Sequence, residues 1–139
     1  RIIPRTIIAA FTGQKIALQG GGVAKKSYLH ADDISRAIIL VAEKGGIGEV
    51  YNCGPAVPIS IAALIDITAS KMGKSLQDVA EIVPERTGQD SQYWLDSRKI
   101  ASLGWKQNIN MMDGIDRMIA WVEKYPELLT MNSEYRHKP

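Results

Sequence analysis

Apolar residues recur at the spacing of an α-helix in several parts of the chain. The clearest of these predicted helices begins after Asp32, because aspartate is a residue type that caps helix N-termini. It is predicted to end near Gly45, since glycine is typical just after the last turn of a helix. The apolar stripe of this helix is Ile34, Ala37, Ile38 and Val41. Other helices are predicted over residues 4–12, from a Ser60 cap to Gly73, from an Asp96 cap to residues 103–104, and from Asn110 to about Pro126.

Short segments between these helices predict strands, and Tyr28, Leu29, Val50 and Tyr51 are the strand-forming residues among them. The predicted strands are residues 15–19, a strand from Lys25 through Tyr28 and Leu29, residues 49–53 and residues 81–83. Gly20–Gly22 predicts a turn. Alternating helices and strands indicate an α/β fold, here a mixed α+β fragment. Because the strands are few, short and far apart, we expect the chain to complete a larger sheet.

The composition excludes several classes of protein. The chain has 139 residues, with 45% hydrophobic and 23% charged, which is ordinary for one globular domain. A net charge of +2 indicates neither nucleic acid nor a membrane as partner, and no apolar run approaches a membrane span. Cys53 is the single cysteine, so no intrachain disulfide forms, and a cytoplasmic location is expected. With one cysteine and two distant histidines, no zinc signature is present.

Five stretches resemble, in order, motifs of the extended short-chain dehydrogenases/reductases that act on nucleotide sugars. Residues 3–5 are similar to the end of L-I-P-R, and residues 26–33 to R-D-[WFY]-[LI]-[YH]-V-x-D. Residues 48–54 are similar to G-E-V-Y-N-x-G, residues 86–90 to R-x-G-H-D, and residues 96–105 to D-x-S-K followed by L-G-W. The resemblance spans nearly the whole chain and is closest to the dTDP-glucose 4,6-dehydratases.

The resemblance implies the C-terminal, substrate-binding part of an extended short-chain dehydrogenase/reductase fold. It implies a nucleotide-sugar-binding domain over residues 1–130, a polar tail over residues 131–139, and NAD as cofactor. The glycine-rich dinucleotide loop is not in the sequence, and no tyrosine has a lysine four residues later, so the catalytic Tyr-x-x-x-Lys pair is also not there. We expect both in a Rossmann half preceding Arg1, and a homodimer as the full-length form.

The resemblance also implies six substrate-binding positions: Arg86, Lys26, Asn52, Arg1, Ala17 and Gln19. Arg86 takes the position whose guanidinium binds the diphosphate, and Lys26 that of a second arginine. Asn52 and Arg1 take an asparagine and a lysine position nearby. Ala17 and Gln19 match a strand whose backbone faces the base. Charge-assisted hydrogen bonds from such groups suit a diphosphate.

Alternatives to these assignments remain at the level of sequence. Lys25 and Lys26 could be solvated surface charges, Arg86 a surface arginine, and Asn52 a side chain that closes its own turn before Gly54. Four departures from the family pattern surround the expected site: Lys26 for arginine, Ser27 for aspartate, Gln19 for an aromatic residue and Gly21 for aspartate.

We expect the chain to be the nucleotide-sugar-binding part of an NAD-dependent nucleotide-sugar 4,6-dehydratase. The alternatives are part of an epimerase or decarboxylase, or a binding or assembly module without catalysis.

Overall fold

A computed structural model describes residues 1–88 and 90–130 of the chain, with Leu128 described by its backbone alone. The helices are α1 (Ile2–Thr12), α2 (Ala31–Lys44), α3 (Ile61–Ser70), α4 (Leu76–Val79), α5 (Arg98–Ser102) and α6 (Met111–Lys124). The strands are β1 (Ile16–Gln19), β2 (Lys25–Lys26), β3 (Ile59–Ser60) and β4 (Ala80–Val83). Gly20–Gly22 and Pro126–Thr130 form short 3₁₀ turns. The predicted tail, residues 131–139, lies outside the described residues.

The chain divides into two compact units. The first is drawn from residues 1–23, 62–89 and 115–139, and the second from residues 24–61 and 90–114, as far as these ranges are described. No helix among the described residues is long and apolar enough to cross a membrane. These residues also contain no group of His, Cys, Asp and Glu side chains that could hold a metal ion.

The first unit is built around β1 and β4, which pair in parallel with Ile16 opposite Ala80 and Gln19 opposite Val83. Alternate side chains of a strand point to opposite faces, and Ile16 and Leu18 supply the buried face of β1. The helices of this unit add further buried side chains: Ile7, Ala9, Leu64, Ile65, Ala69, Val79, Ile115 and Val122. The predicted strands at residues 15–19 and 81–83 are therefore confirmed to within a residue.

The second unit is built around β2. This strand pairs antiparallel with β3, with Lys25 opposite Ser60 and Lys26 opposite Ile59. On its other side, the Lys25 N–H donates to the Ser91 carbonyl and the Lys25 carbonyl accepts from the Tyr93 N–H, both at 2.9 Å. The buried residues of this unit include Ala24, Asp33, Ala37, Ile100 and Ile109.

The prediction of a strand through Tyr28 and Leu29 is wrong, because β2 ends at Lys26. Its partner β3 is also only two residues long, so the backbone beyond Lys26 has no strand to pair with in β3. The prediction that Asp32 caps α2 is also wrong. The cap is His30, whose Nδ1 accepts the Asp32 N–H at 3.1 Å, and Asp32 lies inside the first turn.

The predicted apolar stripe of α2 is only partly correct. Ala37 is buried as expected, but Ile34 and Ile38 are 37% and 64% exposed. The buried face is instead centred on Asp33 and Ala37, one helical turn apart. The helix is rotated so that a carboxylate points inward, where it meets backbone donors described below.

Position 45, at the C-terminal end of α2, requires glycine because there is no room for a side chain, and not because the backbone has a positive φ. Gly45 is extended, with φ −71°, and its N–H closes the helix on the Val41 carbonyl at 2.8 Å. A Cβ on Gly45 would lie 2.5 Å from that carbonyl oxygen, so a larger residue does not fit.

The prediction of a strand at residues 49–53 is wrong, because no strand forms there. The Lys99 side chain, and not a neighbouring strand, makes hydrogen bonds to this segment.

The short helix predicted from Asp96 begins at Arg98 after a Ser97 cap, although Asp96 Oδ1 does accept the Arg98 N–H at 2.9 Å. The start of α6 is confirmed, because Asn110 Oδ1 accepts the Asp113 N–H at 2.9 Å.

Candidate functional site

Asp33 is the residue that joins two of the family-like motifs in the second unit. It takes the last position of the 26–33 motif, and its side chain is fully buried. Its carboxylate accepts the N–H groups of Asn108 at 2.9 Å and Ile109 at 3.1 Å, just after the L-G-W motif. The Asp33 backbone carbonyl accepts the Trp105 indole N–H at 3.2 Å. The two motifs are therefore tied together by both the side chain and the backbone of one residue.

The protonation state of Asp33 follows from these contacts. Burial acts to raise the pKa of its carboxyl group, but the two backbone N–H donors and the Arg36 guanidinium outweigh it, so the pKa lies below its usual value. Asp33 is consequently a buried carboxylate whose charge is compensated. Sequence reasoning missed this role, although the final aspartate of the motif marked the position.

Lys26 is held by the segment that follows the Arg86 loop in sequence. Its ammonium donates to the Asp90 carbonyl at 3.0 Å and lies 3.9 Å from the centre of the Tyr93 ring. The Tyr93 hydroxyl donates to the Asp90 carboxylate, and Ser27 Oγ donates to the Tyr93 carbonyl at 3.1 Å. The hydrogen bond to Asp90 raises the pKa of Tyr93. One of the three donors of the Lys26 ammonium is used here, which leaves capacity for a ligand.

Residues 49–54 form the second candidate segment of this unit, and Lys99 of α5 and its N-cap residue Ser97 hold the two ends. Lys99 donates to Glu49 Oε2 at 2.5 Å and to the Val50 carbonyl at 2.8 Å. The hydrogen bond from Lys99, followed by its charge, lowers the pKa of Glu49. At the other end, Ser97 Oγ accepts the Gly54 N–H at 2.9 Å and donates to the Gly54 carbonyl at 3.0 Å.

Asn52 lies between these two anchors and is exposed. In the part of the chain that the structure describes, its side-chain amide has no recorded hydrogen bond. The turn-closing alternative needs the Asn52 side chain to accept the N–H of the residue two positions on, which is Gly54. That N–H donates to Ser97 instead, so the exposed Asn52 side chain does not close this turn.

The first unit carries the other four predicted residues. Ala17 and Gln19 are exposed on the same face of β1, opposite the buried face. Since β1 and β4 are parallel, the loop that carries Arg86 leaves the pair at the same edge as Gln19. Arg86 is exposed, and Arg1 is the exposed N-cap position of α1, where its side chain makes no capping hydrogen bond.

The turn after β1 is closely packed against this loop. Gly20–Gly22 all have positive φ, and a Cβ on Gly20 would lie 3.0 Å from the Cβ of Glu85. Glu85 immediately precedes Arg86, so the glycine turn fixes the start of the loop that carries the arginine. Glycine is needed at these positions because other residues rarely adopt positive φ.

The second unit also contains a cavity of about 760 Å³. Its walls include Trp94, Leu95, Ala101, Trp105 and the backbone near Pro55. None of the six predicted residues lines this cavity, and its lining is mainly apolar. The cavity borders the Gly54 end of the 49–54 segment and its Ser97 anchor, but its apolar lining does not supply the polar groups on which nucleotide binding was predicted.

Comparison with known proteins gives the family. The model of the GDP-mannose 4,6-dehydratase family matches residues 1–118. The chain belongs to this family. Among the proteins similar to this chain, dTDP-glucose 4,6-dehydratase from Streptomyces griseus is 32% identical over 126 residues, which are 90% of this chain and 38% of that protein. A trifunctional UDP-glucose 4,6-dehydratase/epimerase/reductase from Arabidopsis thaliana is 31% identical over 91% of this chain and 19% of that protein.

Solved structures agree with the family assignment. The crystal structure of dTDP-glucose 4,6-dehydratase from Bacillus anthracis in complex with NAD has a TM-score of 0.83 at 29% identity, over 91% of this chain and 40% of that one. UDP-glucose 4-epimerase from Thermotoga maritima has a TM-score of 0.81 at 23% identity, a likeness of fold alone. The predicted resemblance, the extended short-chain dehydrogenase/reductase fold and the use of NAD by the family are confirmed. The chain spans about two fifths of the length of these dTDP-glucose dehydratases.

Proposed function

We propose that this chain is the nucleotide-sugar-binding portion of an NAD-dependent nucleotide-sugar 4,6-dehydratase, a lyase. In the proposed reaction, C4 of the hexose is oxidised, water is eliminated across C5 and C6, and the hydride returns to C6. The sequence contains no Tyr-x-x-x-Lys pair, so the role proposed for these residues is to hold the nucleoside diphosphate and orient the sugar. The half-buried free thiol of Cys53 fits the proposed cytoplasmic location, and a homodimer is proposed for the full-length form.

The observation that carries the proposal is the presentation of Asn52. Its segment is fixed at one end by Lys99 and at the other by Ser97, while its amide is exposed and makes no hydrogen bond among the described residues. A preorganised, unpaired amide is suited to donate to a phosphate or sugar oxygen. In the first unit, the exposed guanidinium of Arg86, in a loop packed against Gly20, is a donor group of the kind a diphosphate needs. Lys26, Arg1, Ala17 and Gln19 complete the proposed set.

A dehydratase is favoured over an epimerase by degree of similarity. The dehydratases named above are 29–32% identical to this chain, whereas the UDP-glucose 4-epimerase is 23% identical. Because a shared fold supports several reactions, the epimerase likeness does not favour that activity.

The proposal is tested by titrating dTDP and UDP into the chain and its variants by calorimetry. Arg86→Ala is expected to bind about tenfold more weakly or worse, because an arginine can donate two parallel charge-assisted hydrogen bonds to phosphate. Lys26→Ala should lose less, since a lysine acts as a single hydrated charge. Lys26→Arg should bind at least as well as the parent, because it restores the family's residue.

Arg98→Ala is the matched control, since Arg98 is an exposed arginine paired with Asp96 and is not in the proposed set. It should bind like the parent. If Arg86→Ala also binds both nucleotides like the parent, the proposed site is in the wrong place.

A further inference from the structure

Residues 49–54 are held in an unusual way for a segment of strand-like composition. Val50 and Tyr51 favour a sheet, yet the described structure gives these residues no strand partner. Backbone groups without a sheet partner need other hydrogen bonds or solvent. In this segment, the side chains of Ser97 and Lys99 supply them, at positions on either side of Asn52.

Lys99 makes three contacts with the first half of the segment. Its ammonium reaches the Glu49 carboxylate at 2.5 Å and the Val50 carbonyl at 2.8 Å, and it lies 4.6 Å from the centre of the Tyr51 ring. The Tyr51 hydroxyl in turn accepts the Gly46 N–H at 3.0 Å. The three residues that precede Asn52 are therefore all in contact with one cation.

Ser97 fixes the other side of Asn52. Its hydroxyl serves both backbone groups of Gly54, accepting from the N–H and donating to the carbonyl. Gly54 is buried, and a Cβ there would lie 3.3 Å from the Leu95 Cβ. This anchor is therefore close-packed, and the remaining freedom of the segment is limited by Lys99.

We propose that Lys99 is a positioning residue for nucleotide-sugar binding, which acts by holding residues 49–51 so that the Asn52 amide is presented to the ligand. The inference rests on the proposed role of Asn52. It assigns Lys99 no contact with the ligand, because its ammonium is occupied by Glu49 and Val50.

The test is a double-mutant cycle between Lys99→Met and Asn52→Ala, with UDP and dTDP titrated into each variant of the chain. Lys99→Met should weaken binding about tenfold, the scale of one lost charge-assisted hydrogen bond. Lys99→Arg should recover most of the affinity, because it keeps the cation. In the Asn52→Ala background, Lys99→Met should cause no further loss, since the group that it positions is already gone.

Lys71→Met is the matched control. Lys71 also forms a lysine–carboxylate pair, with Asp116 at 2.6 Å. Replacing it by methionine should leave nucleotide binding unchanged. If Lys99→Met weakens binding by the same factor with and without Asn52, Lys99 does not act through Asn52 and the inference is overturned. If Asn52→Ala binds like the parent, it is the proposed function of Asn52 that fails.

A measurement without ligand separates the two proposals further. In the free chain, hydrogen exchange of the Gly46 N–H, which donates to the Tyr51 hydroxyl, and of the Glu49 N–H, which donates to the Gly46 carbonyl, should be at least about tenfold faster in Lys99→Met than in the parent, because Lys99 no longer holds Glu49 and Tyr51. Exchange at Lys25 and Tyr93, which pair in the sheet of β2, should not change. Unchanged exchange at both Gly46 and Glu49 would overturn the positioning role even if the parent bound no nucleotide.

Discussion

The substitution Asp33→Asn tests the connection between the two motifs in the second unit. It keeps the shape of the side chain and removes its charge. An asparagine can still accept one of the N–H groups of Asn108 and Ile109, but its own NH₂ must face the other donor. The Arg36 guanidinium also loses its anionic partner.

The expected cost follows from the burial of the site. One backbone N–H left without an acceptor in a buried site costs about 1–3 kcal/mol. Exchanging a charged for a neutral acceptor at the second N–H costs about 1 kcal/mol more. The Arg36 side chain is 41% exposed, so solvent screens its interaction and its share is below about 1 kcal/mol. We expect Asp33→Asn to lower the free energy of unfolding by about 2–4 kcal/mol.

The assay is urea unfolding followed by circular dichroism, from pH 7 down to pH 3. Because the folded pKa of Asp33 is lowered, its stabilising effect is present above the unfolded value of about 3.9 and is lost as pH falls through the folded value. The stability difference between parent and Asp33→Asn should therefore be constant near neutral pH and shrink in acid.

Asp32→Asn is the control, since Asp32 precedes Asp33 in the same helical turn and its side chain is 58% exposed. It should change stability by no more than about 0.5 kcal/mol. A loss below about 1 kcal/mol for Asp33→Asn, or a difference that grows in acid, would refute the reasoning, because a buried compensated carboxylate requires the opposite.

Two further predictions concern the glycine turn and the activity of the chain. Gly22→Ala should destabilise by about 2–4 kcal/mol in the same unfolding assay, because φ is +68° and the new Cβ would lie 2.5 Å from Leu18 Cδ1 and 2.8 Å from the Ala62 nitrogen. Gly13→Ala, with φ +72° but open space around it, should cost only about 1–2 kcal/mol, and equal losses would contradict the packing argument. The 139-residue chain, incubated with NAD and dTDP-glucose, should form no 4-keto sugar above a blank, because the sequence contains no Tyr-x-x-x-Lys pair. Turnover by protein free of contaminating enzyme would contradict this expectation.

Local signals in the sequence were sufficient for several elements. The short strand expected at residues 15–19 and the capping pattern at Asn110 and Asp113 predicted β1 and the start of α6 correctly. The cap depends on a hydrogen bond within three residues, so the local sequence carries that information, whereas β1 also needs its partner β4, which begins at Ala80. The order of the five motifs likewise indicated the family that the comparison confirmed.

Tertiary contacts decided the rest. The residues at 49–53 have strand-forming side chains, but a strand exists only where another backbone segment pairs with it, and Lys99, fifty residues from Glu49, takes that place. Asp33 lies on the buried face of α2 because the N–H groups of Asn108 and Ile109 compensate its charge, an interaction across 75 and 76 residues. A periodic pattern contains no information about such distant partners. The sequence by itself therefore determined which elements could form and which family they belong to, whereas the tertiary structure determined which polar groups are occupied and left the Asn52 amide exposed.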